Sequence, residues 1–209
     1  MSTNLTEQCI RLAATRLISR IGYESMSLRQ LTSEAGINSS TLYLYYKGKR
    51  ELLLTLVLEY FQELSLAWND CRPRRARAET QLRAFIAFHL RHHLLRREQA
   101  VLGNMELRSL ETSELMMVKQ ARRAYLSKLQ EILEQGCAEG SLHCDEPKLL
   151  ARIICSMLTN TSTWYQAEGR LCVDEMISHY TGLIMRMLNG DPPRRIPPVS
   201  RKRQSQEQR

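Results

Sequence analysis

The chain has 209 residues, and its balance of 43% hydrophobic and 25% charged residues is typical of a folded protein with a core. Glycine and proline are sparse, at 9 and 6 copies, and strand-like alternation is scarce, so the composition predicts an all-α fold. The formal net charge of +8 is compatible with a polyanionic partner, while short apolar runs and polar first residues predict neither a membrane span nor a secretion signal and favour a cytoplasmic protein.

The first predicted helix covers about residues 6–21, where apolar side chains recur at helical spacing on one face. Gly22 follows as a C-terminal cap, because glycine readily takes the left-handed backbone conformation that commonly ends a helix. A second helix is predicted to begin after Ser27, with Gln30 three residues later to complete a capping box. These signals predict two helices joined by a short connection.

Gly36 and Asn38 mark the next connection in the chain. Glycine supplies a turn that a side chain would resist, and an asparagine at this place is suited to cap the helix that follows. That third helix is predicted from Ser39 to about Tyr46, and a longer fourth helix runs from the sequence KGKRELL to about residue 71. We predict that a first domain covers residues 1–56.

The rest of the chain forms a second predicted region, residues 57–190, which is also helical. Apolar stripes recur in five segments, near residues 79–96, 98–109, 113–138, 146–167 and 173–189. Residues 191–209 carry four prolines and abundant charge with little apolar content, which is typical of a disordered basic tail.

Two short helices joined by a tight turn at Gly36 form a helix-turn-helix, whose second helix, the reader helix, enters the major groove of DNA. Its first turn offers small polar side chains that allow a close approach to base edges, whereas Tyr43 and Lys49 are placed to contact phosphate oxygens. The predicted DNA-binding residues are Ser27, Asn38, Ser39, Ser40, Thr41, Tyr43 and Lys49.

Three tyrosines in and after the reader helix have two competing interpretations, because each is either a packed core aromatic or a polar contact to DNA. We favour the core for Tyr45 and for Tyr46, the latter together with Leu42. We favour a phosphate contact for Tyr43, because it shares its face with hydroxyl-rich neighbours.

The sequence SLRQLTSEAGINSSTLYLYYKGKRELL, preceded by RIGYESM, resembles the N-terminal domain of TetR-family transcriptional regulators over about residues 5–58. The turn glycine, the Thr-Leu-Tyr triplet and the downstream lysine all fall in register with that family. The resemblance implies three DNA-binding helices, a C-terminal helical domain for ligand binding and dimerisation, and a repressor that a small molecule releases from its operator.

The sequences FHLRHHLLRREQAVLGNMELRSLE and WYQAEGRLCVDEMISHY are similar to a subset of these regulators associated with acyl-CoA, steroid and fatty-acid catabolism. This second resemblance implies an acyl-CoA thioester as the effector, with a hydrophobic drug or a free acid as the alternative. No cofactor is predicted.

We predict that the effector pocket lies beside the helix over residues 79–96, whose inner face carries apolar side chains and His89. An apolar slot with a few polar anchors suits an acyl or ring system, and the arginines from Arg91 to Arg97 are near enough to pair with coenzyme phosphates. The alternative is that these arginines are solvated and the aromatic residues belong to the core. The predicted ligand-binding residues are Phe85, His89, Met105, Glu106, Arg108, Trp164 and Tyr165.

The last two predicted helices, about residues 146–167 and 173–189, are apolar on more than one face, with more surface than one chain is able to cover. We therefore predict a homodimer through these helices, which would set two reader helices over a palindromic site.

Four other classes of function compete with this interpretation. A metal sensor is suggested by His89 and His93, four residues apart on one helix, but a third ligand at suitable spacing is missing. The six cysteines are scattered, which favours reduced thiols in a cytosolic protein over a redox sensor. No catalytic motif is present, so an enzyme is not favoured, and a helical adaptor would leave the hydroxyl-rich reader helix without a role.

Overall fold

The computed structural model describes residues 2–105 and 107–189, and within these ranges every regular element is helical, which confirms the all-α prediction. No helix in these ranges is long and apolar enough to cross a membrane. The predicted tail, residues 191–209, lies outside the described residues. The elements are α1 (Ser2–Ile21), α2 (Leu28–Glu34), α3 (Ser39–Tyr43), α4 (Lys49–Cys71), α5 (Ala78–Leu95), α6 (Arg97–Met105), a 3-10 turn (Leu107–Ser109), α7 (Thr112–Ala138), α8 (Pro147–Trp164) and α9 (Val173–Asn189).

The predicted signals between α1 and α2 are confirmed. Gly22 has a φ of 80°, and its amide donates to the carbonyl of Ile18 over 2.9 Å, which closes α1. At the start of α2, the amide of Gln30 donates to the Ser27 hydroxyl over 3.2 Å, and the amide of Ser27 donates to the Gln30 side-chain oxygen over 2.9 Å. These two bonds form the capping box and satisfy amides that the first turn of a helix leaves without partners.

The reader helix α3 is shorter than predicted and ends at Tyr43. The amides of the next two residues donate to carbonyls three residues back, which tightens the chain into a 3-10-like turn. Asn38 stands at the N-cap position, but its side chain makes no capping hydrogen bond, so the predicted capping role is wrong. Its side-chain oxygen instead accepts a hydrogen bond from the Thr41 hydroxyl at 3.4 Å.

A small core joins the first three helices, because apolar residues from each are fully buried in one cluster, Ile10 and Leu17 from α1, Leu31 from α2 and Leu42 from α3. Tyr46, just after α3, is also buried, as predicted. Its hydroxyl accepts a hydrogen bond from Arg11 at 2.9 Å and donates to Glu7 at 3.3 Å.

Helix α4 continues without a break through residue 56, where the boundary between two domains was predicted. Its buried residues share one hydrophobic cluster with those of α1, α2 and α3, and it also packs against α7. We call α1, α2, α3 and the first turns of α4 the reader region. Helix α5 lies at the centre of the second region, in contact with α7, α8 and α9. One helix therefore belongs to both regions.

Direct contacts also join the two regions beside α4. Helix α6 packs on α1 and α4, and the Ser109 hydroxyl donates to Glu24 over 2.7 Å. Arg50 forms ion pairs with Glu111 at 2.6 Å and with Glu114 at 3.2 Å. The connection from α6 to α7 is thus tied to the loop before α2 and to the start of α4.

Candidate functional site

The exposed face of α3 carries side chains that were predicted to read DNA. Ser39 and Ser40 are exposed in its first turn, and Tyr43, one turn after Ser39, is 57% exposed. Leu42 is buried on the opposite side and fixes the helix to the core. This division gives a short helix with one side committed to packing and the other open to a large partner.

Three further predicted DNA-binding residues flank this face. Asn38 is exposed and lies immediately before α3, where it holds the half-buried Thr41. Ser27 is exposed at the start of α2, with its hydroxyl engaged in the capping box. The structure therefore groups Asn38, Ser39, Ser40, Thr41 and Tyr43 at and within α3, and it presents Ser27 from a neighbouring helix start.

Lys49 has partners that differ from those predicted from the sequence. Its ammonium group donates to three backbone carbonyls, those of Tyr23 at 2.8 Å, Met26 at 3.1 Å and Glu24 at 3.2 Å. It also lies 4.3 Å from the centre of the Tyr23 ring, a cation–π distance. An ammonium group has three hydrogens, so these carbonyls use its donor capacity and the lysine ties α4 to the loop between α1 and α2. The expected direct phosphate contact does not fit this geometry.

Leu44 is an exposed residue that the sequence reasoning missed. It directly follows Tyr43, lies one turn after Ser40 and is 82% exposed. A leucine in such a short helix is ordinarily assigned to the core. The spacing of four residues between Ser40 and Leu44 places both on one helical face, and this spacing was the signal for an exposed Leu44.

A cavity of about 640 Å³ opens between α4, α5, α6, α7 and α8. A volume of this size holds a small organic ligand or the buried part of a larger one. Its walls are apolar in part, with hydroxyl and amide groups along α8. The lining residues are Phe61, Leu64, His89, His93, Ala100, Val101, Asn104, Lys119, Arg122, Arg123, Tyr125, Leu126, Arg152, Cys155, Ser156, Thr159, Asn160, Ser162 and Thr163.

Among the described residues, the charged side chains that line this cavity are all cationic, and they are Lys119, Arg122, Arg123 and Arg152. Arg122 donates to the side-chain oxygen of Asn104 over 2.6 Å, and its guanidinium lies 5.7 Å from the centre of the Phe61 ring. Among the described residues no carboxylate forms an ion pair with Arg122. Burial lowers the pKa of Arg122, which reflects the cost of holding a desolvated cation without an anion. The arrangement suits an anionic ligand.

Two stacked histidines form part of the cavity wall, with ring centres 3.8 Å apart. His89 contacts the Tyr125 hydroxyl and the Thr159 hydroxyl, each at 3.0 Å. His93 lies 2.9 Å from the His89 carbonyl oxygen and 2.9 Å from the Tyr60 hydroxyl. Burial lowers the pKa of His89 well below its ordinary value and lowers that of His93 to about 3, so both rings are neutral at pH 7.

The histidine pair does not form a metal centre with its neighbours. Within the described ranges no group of three or more histidine, cysteine or acidic residues is arranged to hold a metal ion. Each ring nitrogen of His89 and His93 already has a hydrogen-bonding partner.

Of the seven predicted ligand-binding residues, His89 lines the cavity. Phe85 lies behind the wall, fully buried against Trp68 and Tyr125 at ring-centre distances of 5.1 and 5.5 Å. Its predicted contact with ligand is therefore wrong, because the ring fills the core. Glu106 and the Met105 side chain lie outside what the structure describes.

The other three predicted residues are also away from the cavity lining. Arg108 is exposed in the 3-10 turn, and Trp164 is 52% exposed at the end of α8. Tyr165 is buried just after Trp164 but does not line the cavity. Within one chain α8 presents hydroxyl-bearing residues as far as Thr163 to the cavity, so closure by Trp164 and Tyr165 from the dimer side stays a prediction.

The predicted phosphate-binding arginines are engaged elsewhere. Arg91 forms an ion pair with Asp174 at 2.7 Å, Arg96 contacts His92 at 2.6 Å, and Arg97 donates to the carbonyl of Thr163 over 3.2 Å. The cations at the cavity come from α7 and α8, whose charged residues the sequence reasoning had not singled out.

An apolar surface remains on α8 and α9. Leu149, Ile153 and Trp164 of α8 and Leu183 and Met187 of α9 are each about half exposed or more. Other apolar residues that were expected on this surface, including Ile154, Leu158 and Ile184, are buried within the chain. The remaining patch is of the kind that a protein interface covers.

Two family models match the chain. The model described as bacterial regulatory proteins, tetR family, matches residues 10–56. The model described as tetracyclin repressor-like, C-terminal domain, matches residues 75–188. The first contains α2, α3 and most of α1, and the second contains every element of the cavity except α4.

Similar proteins and structures cover most of the chain. The fatty acid metabolism regulator protein of Bacillus subtilis (strain 168) is 25% identical over 160 residues, which are 76% of this chain and 82% of that protein. A bacterial regulatory protein in the tetR family from Rhodococcus RHA1 has a TM-score of 0.83 at 23% identity, covering 88% and 96% of the two chains. AibR in complex with isovaleryl coenzyme A and operator DNA has a TM-score of 0.74 at 20% identity, covering 88% and 97%.

Proposed function

The chain belongs to the TetR family of bacterial regulatory proteins, and from this premise we propose that it is a cytoplasmic repressor released from a palindromic operator by an acyl-CoA thioester. As a member of this family it is a DNA-binding transcriptional regulator. The sign of regulation, the operator symmetry and the effector are the proposed parts.

The observation that carries the effector proposal is the charge of the cavity. In the part of the chain that the structure describes, four cationic residues and no aspartate or glutamate line a space that also has apolar walls. An acyl-CoA thioester combines an apolar acyl group with several phosphates, so its two parts match the two kinds of wall. The complex of AibR with isovaleryl coenzyme A and the fatty acid metabolism regulator among the relatives support the same class of effector.

The DNA side of the proposal depends on the exposed face of α3. Ser39, Ser40 and Thr41 are small enough to let the backbone approach base edges, and Tyr43 is exposed with its hydroxyl available to a phosphate oxygen. We assign Lys49 an indirect role, in which it holds the loop before α2 and so positions the reader helix.

We propose that the apolar patch on α8 and α9 is the surface through which two copies of the chain associate. A two-fold dimer would bury the patch on both copies at once and would place two reader helices on successive turns of the DNA groove. Sedimentation at micromolar concentration tests this directly, since a monomer would contradict it.

Release of DNA requires that the effector bind one arrangement of the dimer more tightly than the other. Helix α4 lines the cavity with Phe61 and Leu64. It begins at Lys49, which holds the loop between α1 and α2, so this helix connects the cavity with the DNA-binding helices. Helix α6 lines the cavity with Ala100, Val101 and Asn104 and packs on α1. A ligand that shifts either helix changes the separation of the two reader helices.

The test begins with an operator obtained by selection from random double-stranded DNA. Straight-chain and branched acyl-CoA thioesters, free coenzyme A, the matching free acids and uncharged hydrophobic drugs are then titrated into the protein–operator complex. We expect at least one thioester to dissociate the complex and to raise the melting temperature of the free protein, with free coenzyme A much weaker. Release by free acids or drugs alone would replace the thioester with the corresponding class of effector.

A further inference from the structure

The inner wall of the cavity contains a hydrogen-bonded triad, Tyr125, His89 and Thr159. The two ring nitrogens of His89 lie 3.0 Å from the hydroxyl oxygens of Tyr125 and Thr159, one on each side. His89 and Tyr125 are buried, and Thr159 is half-buried. All three line the cavity.

The hydrogens of this triad can be counted. A neutral imidazole carries one N–H, and the tyrosine and the threonine each carry one O–H, so three hydrogens serve two contacts. If His89 donates to Tyr125, then Thr159 donates to His89 and the tyrosine hydrogen is unused. If His89 donates to Thr159, then Tyr125 donates to His89 and the threonine hydrogen is unused. Either tautomer leaves one hydroxyl hydrogen without an acceptor in the triad.

The backbone does not accept this hydrogen. In the next turn of α8 the hydroxyls of Thr161, Ser162 and Thr163 each donate to a backbone carbonyl, at 3.3, 2.8 and 2.8 Å. Across the described part of the chain, neither the Thr159 hydroxyl nor the Tyr125 hydroxyl has a hydrogen bond beyond the contact with His89. The unused hydroxyl hydrogen is therefore available at the cavity, where water accepts it in the free protein and a bound ligand that displaces this water has to replace it as acceptor.

The neighbouring histidine provides an internal contrast. His93 donates from Nδ1 to the His89 carbonyl oxygen, which only accepts, and its other nitrogen accepts from the Tyr60 hydroxyl. Two hydrogens serve two contacts there, and none is left over. The unused donor belongs to the His89 triad specifically and is not a general feature of the stacked pair.

We propose that the buried part of the effector carries a hydrogen-bond acceptor oxygen that receives the free hydroxyl hydrogen of the Tyr125–His89–Thr159 triad. The inference rests on the proposed acyl-CoA class and narrows it. The oxygen is either the thioester carbonyl or an oxo or hydroxyl group on the acyl chain. A plain hydrocarbon segment against this wall leaves the donor without a partner and binds more weakly for that reason.

The experiment compares coenzyme A derivatives that differ by one oxygen. S-octyl-CoA, a thioether, lacks the carbonyl of octanoyl-CoA, and octanoyl-CoA lacks the second oxygen of a set of oxo-octanoyl-CoA isomers. Affinities for the free wild-type dimer are measured by calorimetry. We expect one of these steps to raise affinity about tenfold, which corresponds to one hydrogen bond. A step from thioether to thioester identifies the carbonyl as the acceptor, and a step at one oxo position identifies the acyl substituent.

Variants then test whether the triad causes that step. Either hydroxyl is able to supply the hydrogen, so the decisive variant is the double substitution Tyr125→Phe with Thr159→Val, in which the tenfold ratio falls to about one. Thr161→Val and Tyr180→Phe are matched controls, because these residues form a hydroxyl pair at 2.8 Å and neither lines the cavity. The controls retain the ratio. In the two single variants the same affinity ratio is measured, and it falls in the variant that lacks the donating hydroxyl. These variants replace the double variant in the test if the double variant does not fold.

The outcomes separate this inference from the proposed function. If S-octyl-CoA, octanoyl-CoA and every oxo isomer bind wild-type protein with equal affinity, the acceptor oxygen is refuted and the acyl-CoA effector stands. A wild-type step that survives the double substitution also refutes the triad as its donor. If no coenzyme A derivative binds, the acyl-CoA proposal fails, and the inference fails with it.

Discussion

Lys49 in the reader region and Arg122 in the second region, here called the cavity region, are both partly buried cations. The protein provides their hydrogen-bond donors with different partners. Lys49 gives its hydrogens to three carbonyls within 3.2 Å. Arg122 has one amide oxygen and an aromatic face, and no acidic partner among the described residues. A buried cation with enough acceptors stabilises the fold, whereas a buried cation with too few acceptors favours the binding of an anion.

The same contrast holds for the two regions as wholes. The reader region buries a small core, caps the start of α2 with its own side chains and presents to solvent the side chains that are predicted to read DNA. The cavity region encloses its binding groups, including two neutral histidines and a hydroxyl with an unused hydrogen. Changes to the exposed groups should alter binding and leave stability unchanged. Changes to the enclosed groups should alter both quantities, or should weaken binding while they raise stability.

Acid is expected to produce the largest effect, and to act on the cavity region. Burial lowers the pKa of His92 to about 4 and of His93 to about 3, and that of His89 falls well below its ordinary value, while all five histidines lie after residue 88. The unfolded chain therefore binds more protons below about pH 6.5, and the free energy of unfolding falls as pH decreases from there toward 4. Each histidine contributes roughly 1.4 kcal/mol per pH unit in this window.

Urea unfolding at intervals between pH 7 and pH 5 measures this slope. His93→Gln should reduce the slope by the contribution of one histidine. A flat profile over that range would show that the buried histidines take up protons in the folded protein as readily as in the unfolded chain, which would remove the contrast between the regions.

The next largest effect is expected at Lys49. Lys49→Met should lower the free energy of unfolding by about 2 kcal/mol, because three carbonyls lose a charged donor, and should weaken every DNA sequence together. Lys47→Met, at an exposed position, is the control and should cost less than about 0.5 kcal/mol. The salt dependence of operator binding distinguishes the roles. A positioning lysine leaves the slope unchanged, whereas loss of a direct phosphate contact would reduce it by about one.

Arg122 should give the reverse result in the cavity region. Arg122→Gln should weaken acyl-CoA binding by about tenfold or more, because a desolvated guanidinium contributes strongly to the binding of an anion. The free energy of unfolding should stay equal or rise slightly, because the folded protein no longer holds a desolvated cation. Arg108→Gln, at an exposed position away from the cavity, is the control. Calorimetry with octanoyl-CoA and urea unfolding measure the two quantities. A strongly destabilised variant with unchanged affinity would place Arg122 with Lys49 among the structural cations.

The sequence was sufficient for features that depend on neighbouring residues. The Ser27–Gln30 capping box and the φ of Gly22 and Gly36 follow from signals a few residues long, and the structure has them as predicted. The face of α3 follows in the same way from helical spacing. The contacts of Lys49 could not be predicted from neighbouring residues, because its three acceptors lie 23 to 26 residues earlier in the chain.

The cavity was predicted poorly because five helices build it from residues far apart in the chain. Phe85 and His89 share a face of α5, and helical spacing cannot show that one ring fills the core while the other reaches the cavity. Arg122 and Arg123 look like any charged pair on a long helix. Which of them lacks an anion depends on how α6 and α8 pack beside α7, and this packing is a tertiary property.

The smallest effect is expected at Tyr43, where the contrast between exposed and enclosed groups is tested most directly. Tyr43→Phe removes one hydroxyl from a side chain that is 57% exposed, so the free energy of unfolding should stay within about 0.5 kcal/mol of wild type. If the hydroxyl donates to a phosphate, affinity should fall by roughly 0.5–1.5 kcal/mol for every DNA sequence alike, since phosphates carry no base identity. Ser40→Ala is the matched comparison on the same face, and it should change the ranking of operator variants. Anisotropy titrations of both variants against one panel of single-base operator changes measure the difference. If Tyr43→Phe reorders the panel, its hydroxyl contacts a base edge, and α3 lies deeper in the groove than its exposed face indicates.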